Sequence, residues 1–212
     1  MTQHAIFILG DSISMYYTLF LRQYLQGWAE IMRKGDLPVV PVVDEPDHCN
    51  GGDSRMALEY LTIQRAALKG KVLLFNCGLH DIKIDHQTGK RQVTLKCYIA
   101  NLRQILALIL PLVDRFIWIT TTPVEDNRHN KSQDKFLRFD ADVNDYNAAA
   151  SRIMTAAGID QIDLNGFTRV LDGDLYSDHV HYRESVIQLQ AAFIAGSLKA
   201  ILGVGGRRSE DL

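Results

Sequence analysis

The chain has 212 residues, 47% of them hydrophobic and 23% charged, a balance that excludes disordered, collagen-like and coiled-coil classes. A chain of this length buries roughly 70% of the surface its unfolded form exposes, so its core requires neither disulfides nor a structural metal. The formal net charge of -2, with Lys and Arg scattered, argues against nucleic acid as the main partner, and Arg207-Arg208 beside Glu210 and Asp211 reads as solvated tail.

Cys49, Cys77 and Cys97 form no C-x-x-C pair, so reduced thiols and a cytoplasmic location are expected. Met1-Thr2-Gln3-His4 leads straight into an apolar run without the pattern of a secretory signal. The longest apolar stretch, Ile105 to Val113, is shorter than the ~20 residues a membrane span needs, and no membrane span is expected. One domain over residues 1–203 and a flexible tail over 204–212 are predicted.

In chain order, Ala5 to Leu9 reads as a first strand ending at Gly10. The recurrence of Leu21, Leu25, Trp28 and Met32 predicts a helix from about Ser14 to Lys34, closed by Gly35. Val39 to Val43 reads as the second strand, Asp53 or Ser54 to Leu68 as its helix, and Lys71 to Asn76 as the third strand. A polar loop, Asp81 to Gln92, precedes a helix carrying Leu102, Ile105, Leu106 and Ile109 on one face, then a strand at Arg115 to Thr120. The connection Thr121 to Phe139 is long enough to suggest a cover over a site. A helix at Ala141 to Ala157, a strand at Gln161 to Leu164 and a last helix at Arg183 to Leu202 follow. Apolar strands alternating with helices predict a five-stranded, parallel, doubly wound α/β/α sheet, whose ligands bind beyond the carboxyl ends of the strands.

Those ends carry the residues able to do chemistry. Ser12 stands where the first strand meets a helix, so a developing negative charge there meets the positive end of the helix dipole. Asp11 or Ser12 can also simply cap the helix. Asp178 and His181 are spaced so that a carboxylate can hold one imidazole nitrogen while the other faces a serine, the arrangement of a Ser-His-Asp triad. His179 and His181 form an H-x-H pair that opens a metal-dependent hydrolase as an alternative, although alternate residues of an extended stretch point to opposite sides. Cys77 reads as a packing residue, and His4, His48, His86 and His129 as surface or loop residues. A single glycine in the first turn and no P-loop lysine exclude nucleotide binding of the usual kinds.

Gly10-Asp11-Ser12-Ile13, the Gly52-Asp53-Ser54 turn and the terminal Asp178-x-x-His181 together resemble the SGNH, or GDSL-type, hydrolases. Thr121-Thr122-Pro123 and Tyr146-Asn147 look like the same family, and the resemblance covers essentially the whole chain. It implies a flavodoxin-like strand order 2-1-3-4-5, Ser12 as nucleophile, His181 as general base and then acid, and Asp178 as the residue that orients it. It further implies an oxyanion hole built from the N–H groups of Ser12 and Gly52 and a third donor where the family has an asparagine. That position is His80 here, with Asn76 a second candidate whose expected role is to tie the loop. A histidine can donate one N–H if its tautomer is fixed, by Asp81 or a backbone carbonyl.

The implied activity is hydrolysis of a small or short-chain acyl ester, such as an acetyl ester, without cofactor or metal. Lys83, Lys90 and Arg91 in the polar loop point toward a polar or anionic alcohol portion. A non-catalytic binding protein of the same fold is the alternative that the substitution at His80 suggests. The sequence leaves the oligomeric state open.

Overall fold

The structure, a computed structural model, describes residues 4–37, 49–132 and 135–203. Five parallel strands form the main sheet: β1 (His4–Leu9), β2 (Ala29–Arg33), β3 (Val72–Phe75), β5 (Arg115–Ile119) and β7 (Asp160–Ile162), in the order β2-β1-β3-β5-β7. Counting only these strands the order is 2-1-3-4-5, as expected. A separate antiparallel pair joins β4 (Ile84–Asp85) to β6 (Phe136–Leu137).

Helices α1 (Ser12–Tyr24), α6 (Leu164–Arg169) and α7 (Glu184–Gly203) pack together on one side of the sheet. Helices α2 (Ser54–Gln64), α3 (Leu95–Ile109) and α5 (Asp140–Ala156) pack together on the other, while the short α4 (Asp126–Lys131) lies in the connection after β5. The central strands are apolar throughout because both of their faces are covered: Val72 to Phe75 and Phe116 to Ile119 are all buried. Phe75 meets Trp118 and Phe116 edge-on, with ring centroids 5.6 and 5.8 Å apart, the favoured geometry for aromatic pairs. Helix α7 is long and apolar enough, by length and composition alone, to cross a membrane. In the fold its residues Ile187, Ala191, Ile194 and Leu198 are buried.

One expectation needs correction. The first helix does not run to Lys34. It ends at Tyr24, Gly27 turns with φ +77°, and residues 29–33 form β2. An L-residue with a side chain resists that φ, so Gly27 is the stop signal. As an edge strand, β2 buries Ala29, Ile31 and Arg33 and leaves Glu30 exposed, and Trp28 before it and Met32 within it mimic helical spacing. The strand expected at Val39 to Val43 lies outside the described residues. The long connection 121–139 contains α4 and β6.

Reversal of winding between β1 and β3 leaves a crevice at their carboxyl ends, and the loop 50–52 closes onto it. The Gly51 N–H donates to Gly10 O at 2.8 Å. A Cβ on Gly51 would stand 2.9 Å from that same oxygen and 3.1 Å from the Gly10 carbonyl carbon. Both neighbours are backbone, so one chain must move. Gly51→Ala should therefore lower stability by about 1–3 kcal/mol, read as a drop in Tm of several degrees. An unchanged Tm would show that the approach is not a constraint.

Candidate active site

Asp11 is the N-cap of α1, its Oδ1 accepting the Ile13 N–H at 3.0 Å, which leaves Ser12 as the first helical residue with its hydroxyl uncommitted to capping. The Ser12 N–H lies in the first turn, where no intrahelical carbonyl can reach it. Asp11 itself is buried; desolvation raises its pKa, opposed by the Ile13 N–H and the charge of Arg138.

His181 reaches Ser12 from the other end of the chain. Its Nε2 lies 2.9 Å from Ser12 Oγ and its Nδ1 lies 2.7 Å from Asp178 Oδ2. Asp178 Oδ1 accepts the N–H groups of Val180 and His181 at 2.8 and 2.7 Å, so one carboxylate folds the turn and holds the ring. Desolvation pushes the Asp178 pKa up, but these two N–H groups and the His181 ring outweigh it and set the pKa at about 2. The turn is fastened beneath: Tyr176 and Tyr182 hydroxyls both donate to Pro123 O, at 3.0 and 2.9 Å. Thr121, in the same segment, exchanges two 2.8 Å hydrogen bonds with the Asn147 amide. Tyr16 of α1 sets its ring edge-on to His181 at 5.2 Å.

Of the three expected oxyanion donors, Gly52 is already engaged, its N–H donating to Asn50 Oδ1 at 2.9 Å. His80 follows Leu79 in the loop after β3, and its ring makes no hydrogen bond to any described residue. Burial lowers its pKa well below the ordinary value, with further contributions from Lys83, Arg138 and His181, so the ring is neutral and carries one N–H. Asp81 does not fix its tautomer. Both Asp81 oxygens instead accept the Ser54 N–H, at 3.0 and 3.1 Å, against the start of α2. Burial raises the Asp81 pKa to about 7, opposed by Ser54. Asn76 ties the strand ends as expected, donating to Ile119 O at 2.9 Å. Cys77 is buried and its thiol pKa is raised well above normal by desolvation, the state of a packing residue rather than a nucleophile.

Three residues at the site carried no recognisable signal in the sequence: Asn50, Arg138 and His129. Arg138 is 3% exposed. Its Nε donates to Leu79 O at 2.7 Å, and Asn130 clamps its backbone with two 3.0 Å bonds. His129 is not a surface residue. It is fully buried against Phe136 and His179, and by distance and angle neither ring nitrogen makes a hydrogen bond among the described residues. His179 Nδ1 is 3.7 Å from Asp178 Oδ1. Among the described residues no three His, Cys, Asp or Glu side chains group as a metal site requires, and both nitrogens of His181 face Asp178 and Ser12.

No family model matches the sequence, and no curated protein matches it. Solved structures do. A lipase/acylhydrolase from Enterococcus faecalis superposes with a TM-score of 0.69 at 17% identity, over 94% of this chain and 97% of that one. A member of the lipolytic protein G-D-S-L family from Veillonella parvula gives 0.64 at 14% identity, over 97% and 100%. Axe2, an acetylxylan esterase from Geobacillus stearothermophilus, gives 0.65 at 17% identity, over 98% and 97%. The fold is therefore that of the GDSL, or SGNH, acylhydrolases.

Desolvation lowers the His129 pKa to about 4, with the charges of Arg138 and His179 adding to the shift and the His179 backbone opposing it. A buried imidazole of this kind favours the folded state most when neutral. Its folded pKa lies below the unfolded value of about 6.5, so stability is complete above that value and falls as pH drops toward 4. Between pH 7 and pH 5 this group alone should remove about 2 kcal/mol. His129→Leu should flatten the fall in Tm over that interval by several degrees. Parallel curves for wild type and variant would contradict the assignment.

Proposed function

We propose that the protein is a serine ester hydrolase acting through an acyl-enzyme on Ser12, with a small acyl group such as acetyl as the part transferred. The observation that carries the reading is the 2.9 Å approach of His181 Nε2 to Ser12 Oγ, with Asp178 bonded to the opposite ring nitrogen. The acylhydrolase and the acetylxylan esterase among its structural neighbours support the reaction class and the small acyl group.

In the first half-reaction Ser12 Oγ gives its proton to His181 Nε2 and attacks the ester carbonyl. Asp178 holds the neutral tautomer with Nδ1–H toward itself and stabilises the imidazolium that forms. Because its pKa is about 2, it stays ionised throughout the neutral and mildly acidic range. The tetrahedral oxyanion takes hydrogen bonds from the Ser12 and Gly52 N–H groups and from the neutral His80 ring. At Gly52 the anionic oxygen displaces the neutral amide oxygen of Asn50, since charged acceptors bind N–H more strongly. Collapse expels the alkoxide, which takes the proton from His181 Nε2. Water then repeats the sequence on the acyl-enzyme, and Ser12 regains its proton as the carboxylic acid leaves.

Ser12→Ala and His181→Ala should each lower kcat for p-nitrophenyl acetate by about 10⁴ or more. Retention of activity in either variant would remove the nucleophile or the base from this scheme. His80→Ala should lower kcat by roughly 10²–10³ with little change in KM, the signature of a bond made in the transition state. His80→Asn should restore part of the loss. A His80→Ala kcat within about threefold of wild type, under ~0.7 kcal/mol, would leave the hole to the two backbone donors.

A further inference from the structure

The β4–β6 pair joins the loop after β3 to the connection after β5, and it sets two cations against one aromatic ring. Lys83 Nζ lies 4.7 Å from the Phe136 ring centroid and the Arg138 guanidinium carbon lies 4.9 Å from it. Neither side chain makes an ion pair with any described residue. Arg138 spends its Nε on Leu79 O, the carbonyl just before His80. The remaining guanidinium nitrogens are outside any hydrogen bond to the described chain.

The pair belongs electrostatically to the Ser12 site. Arg138 acts on Asp11, His80 and His179, and Lys83 acts on His80 and is drawn by Asp53 and Asp11. Two like charges held together and partly stripped of water oppose each other. Burial and the neighbouring Arg138 bring the Lys83 pKa down to about 8, and burial brings Arg138 to about 10. Among the described residues Asp11 is the carboxylate that acts on Arg138, and the two form no ion pair. Such an arrangement is unfavourable for the empty protein and becomes favourable once an anion occupies it. A guanidinium fork and an ammonium set against one ring, neither with an ion-pair partner among the described residues, offer what carboxylate and phosphate oxygens bind.

We propose that Lys83 and Arg138, held against Phe136 beside His80, form a subsite for an anionic oxygen group, carboxylate or phosphate, carried by the ester that Ser12 attacks. The inference rests on the esterase reading and deepens it, replacing an unspecified small ester by an acyl ester bearing a negative charge. Neutral esters remain substrates, but they leave the cationic pair unmatched.

Aryl acetates that share one reacting group test it. Wild-type protein should show kcat/KM at least about tenfold higher for 4-acetoxybenzoate or 4-acetoxyphenyl phosphate than for neutral methyl 4-acetoxybenzoate, as a charge-assisted contact allows. Which of the two anions leads identifies the group. Mono-4-nitrophenyl succinate against its methyl ester asks the same of the acyl side. Lys83→Met and Arg138→Gln should each bring the anionic-to-neutral ratio down toward unity, and Arg138→Lys should keep part of it. If Arg138→Gln does not fold, Lys83→Met carries the test, because that side chain is half-exposed. Ratios near unity in wild type for every anionic ester, or a ratio untouched by the Lys83 and Arg138 variants, would overturn the subsite while leaving the esterase intact. Hydrolysis of no ester at all would overturn the esterase reading. In that case titration calorimetry of Ser12→Ala with 4-acetoxybenzoate still reads the subsite, expected to bind the anion and to lose it in the double variant with Lys83→Met. No heat of binding would overturn the subsite as well.

Discussion

The contact between Ser12 and His181 joins residues 169 positions apart, and the architecture around it is arranged to keep its length. Ser12 opens α1, and His181 sits in the turn that feeds α7. These two helices pack on each other along one side of the sheet, through buried residues such as Tyr17 and Leu21 on α1 and Ile187 and Ile194 on α7. The distance between serine and imidazole is thus set by helix packing against a rigid parallel sheet, and it requires neither a disulfide nor a flexible loop. Close packing transmits small volume changes to that contact, which is why core substitutions on the α1–α7 side should be felt at the site.

Charge is distributed unevenly around this contact. Asp178 is ionised far into acid because two backbone N–H groups and a ring hold it, whereas His80 and His129 are kept neutral by burial beside Arg138. Neutral imidazole at residue 80 carries one N–H and places no permanent positive charge near His181. Asp81, the residue adjacent to it, is drawn away to Ser54 at the start of α2. The acid beside His80 in sequence therefore serves α2 and not the histidine.

Much of the sheet was legible in the sequence because β1, β3 and β5 are buried on both faces and appear as short unbroken apolar runs bounded by glycine or polar residues. The edge strand β2 was not, since Trp28 before it and Met32 within it continue the helical spacing of Leu21 and Leu25. Gly27 was the available signal. Ser12, Asp178 and His181 could be found because each stands at an element boundary in a short motif. Arg138 and His129 could not be found in this way. They belong to a long connection whose conformation depends on Asn130 clamping Arg138 and on strand pairing with residues some fifty positions earlier, and no local periodicity records such long-range bonds. Asn50 is legible only once Gly52 is seen to need an acceptor.

The structural neighbours share the fold at 14–17% identity, so the chemistry rests on the residues themselves. Labelling with a fluorophosphonate probe followed by peptide mapping reads the nucleophile without assuming a substrate, because the reagent reacts with a serine only where a base activates it. The account predicts a single adduct on Ser12, lost when His181 is replaced. Labelling at Ser54 or Cys77, or no labelling of the folded protein, would contradict it.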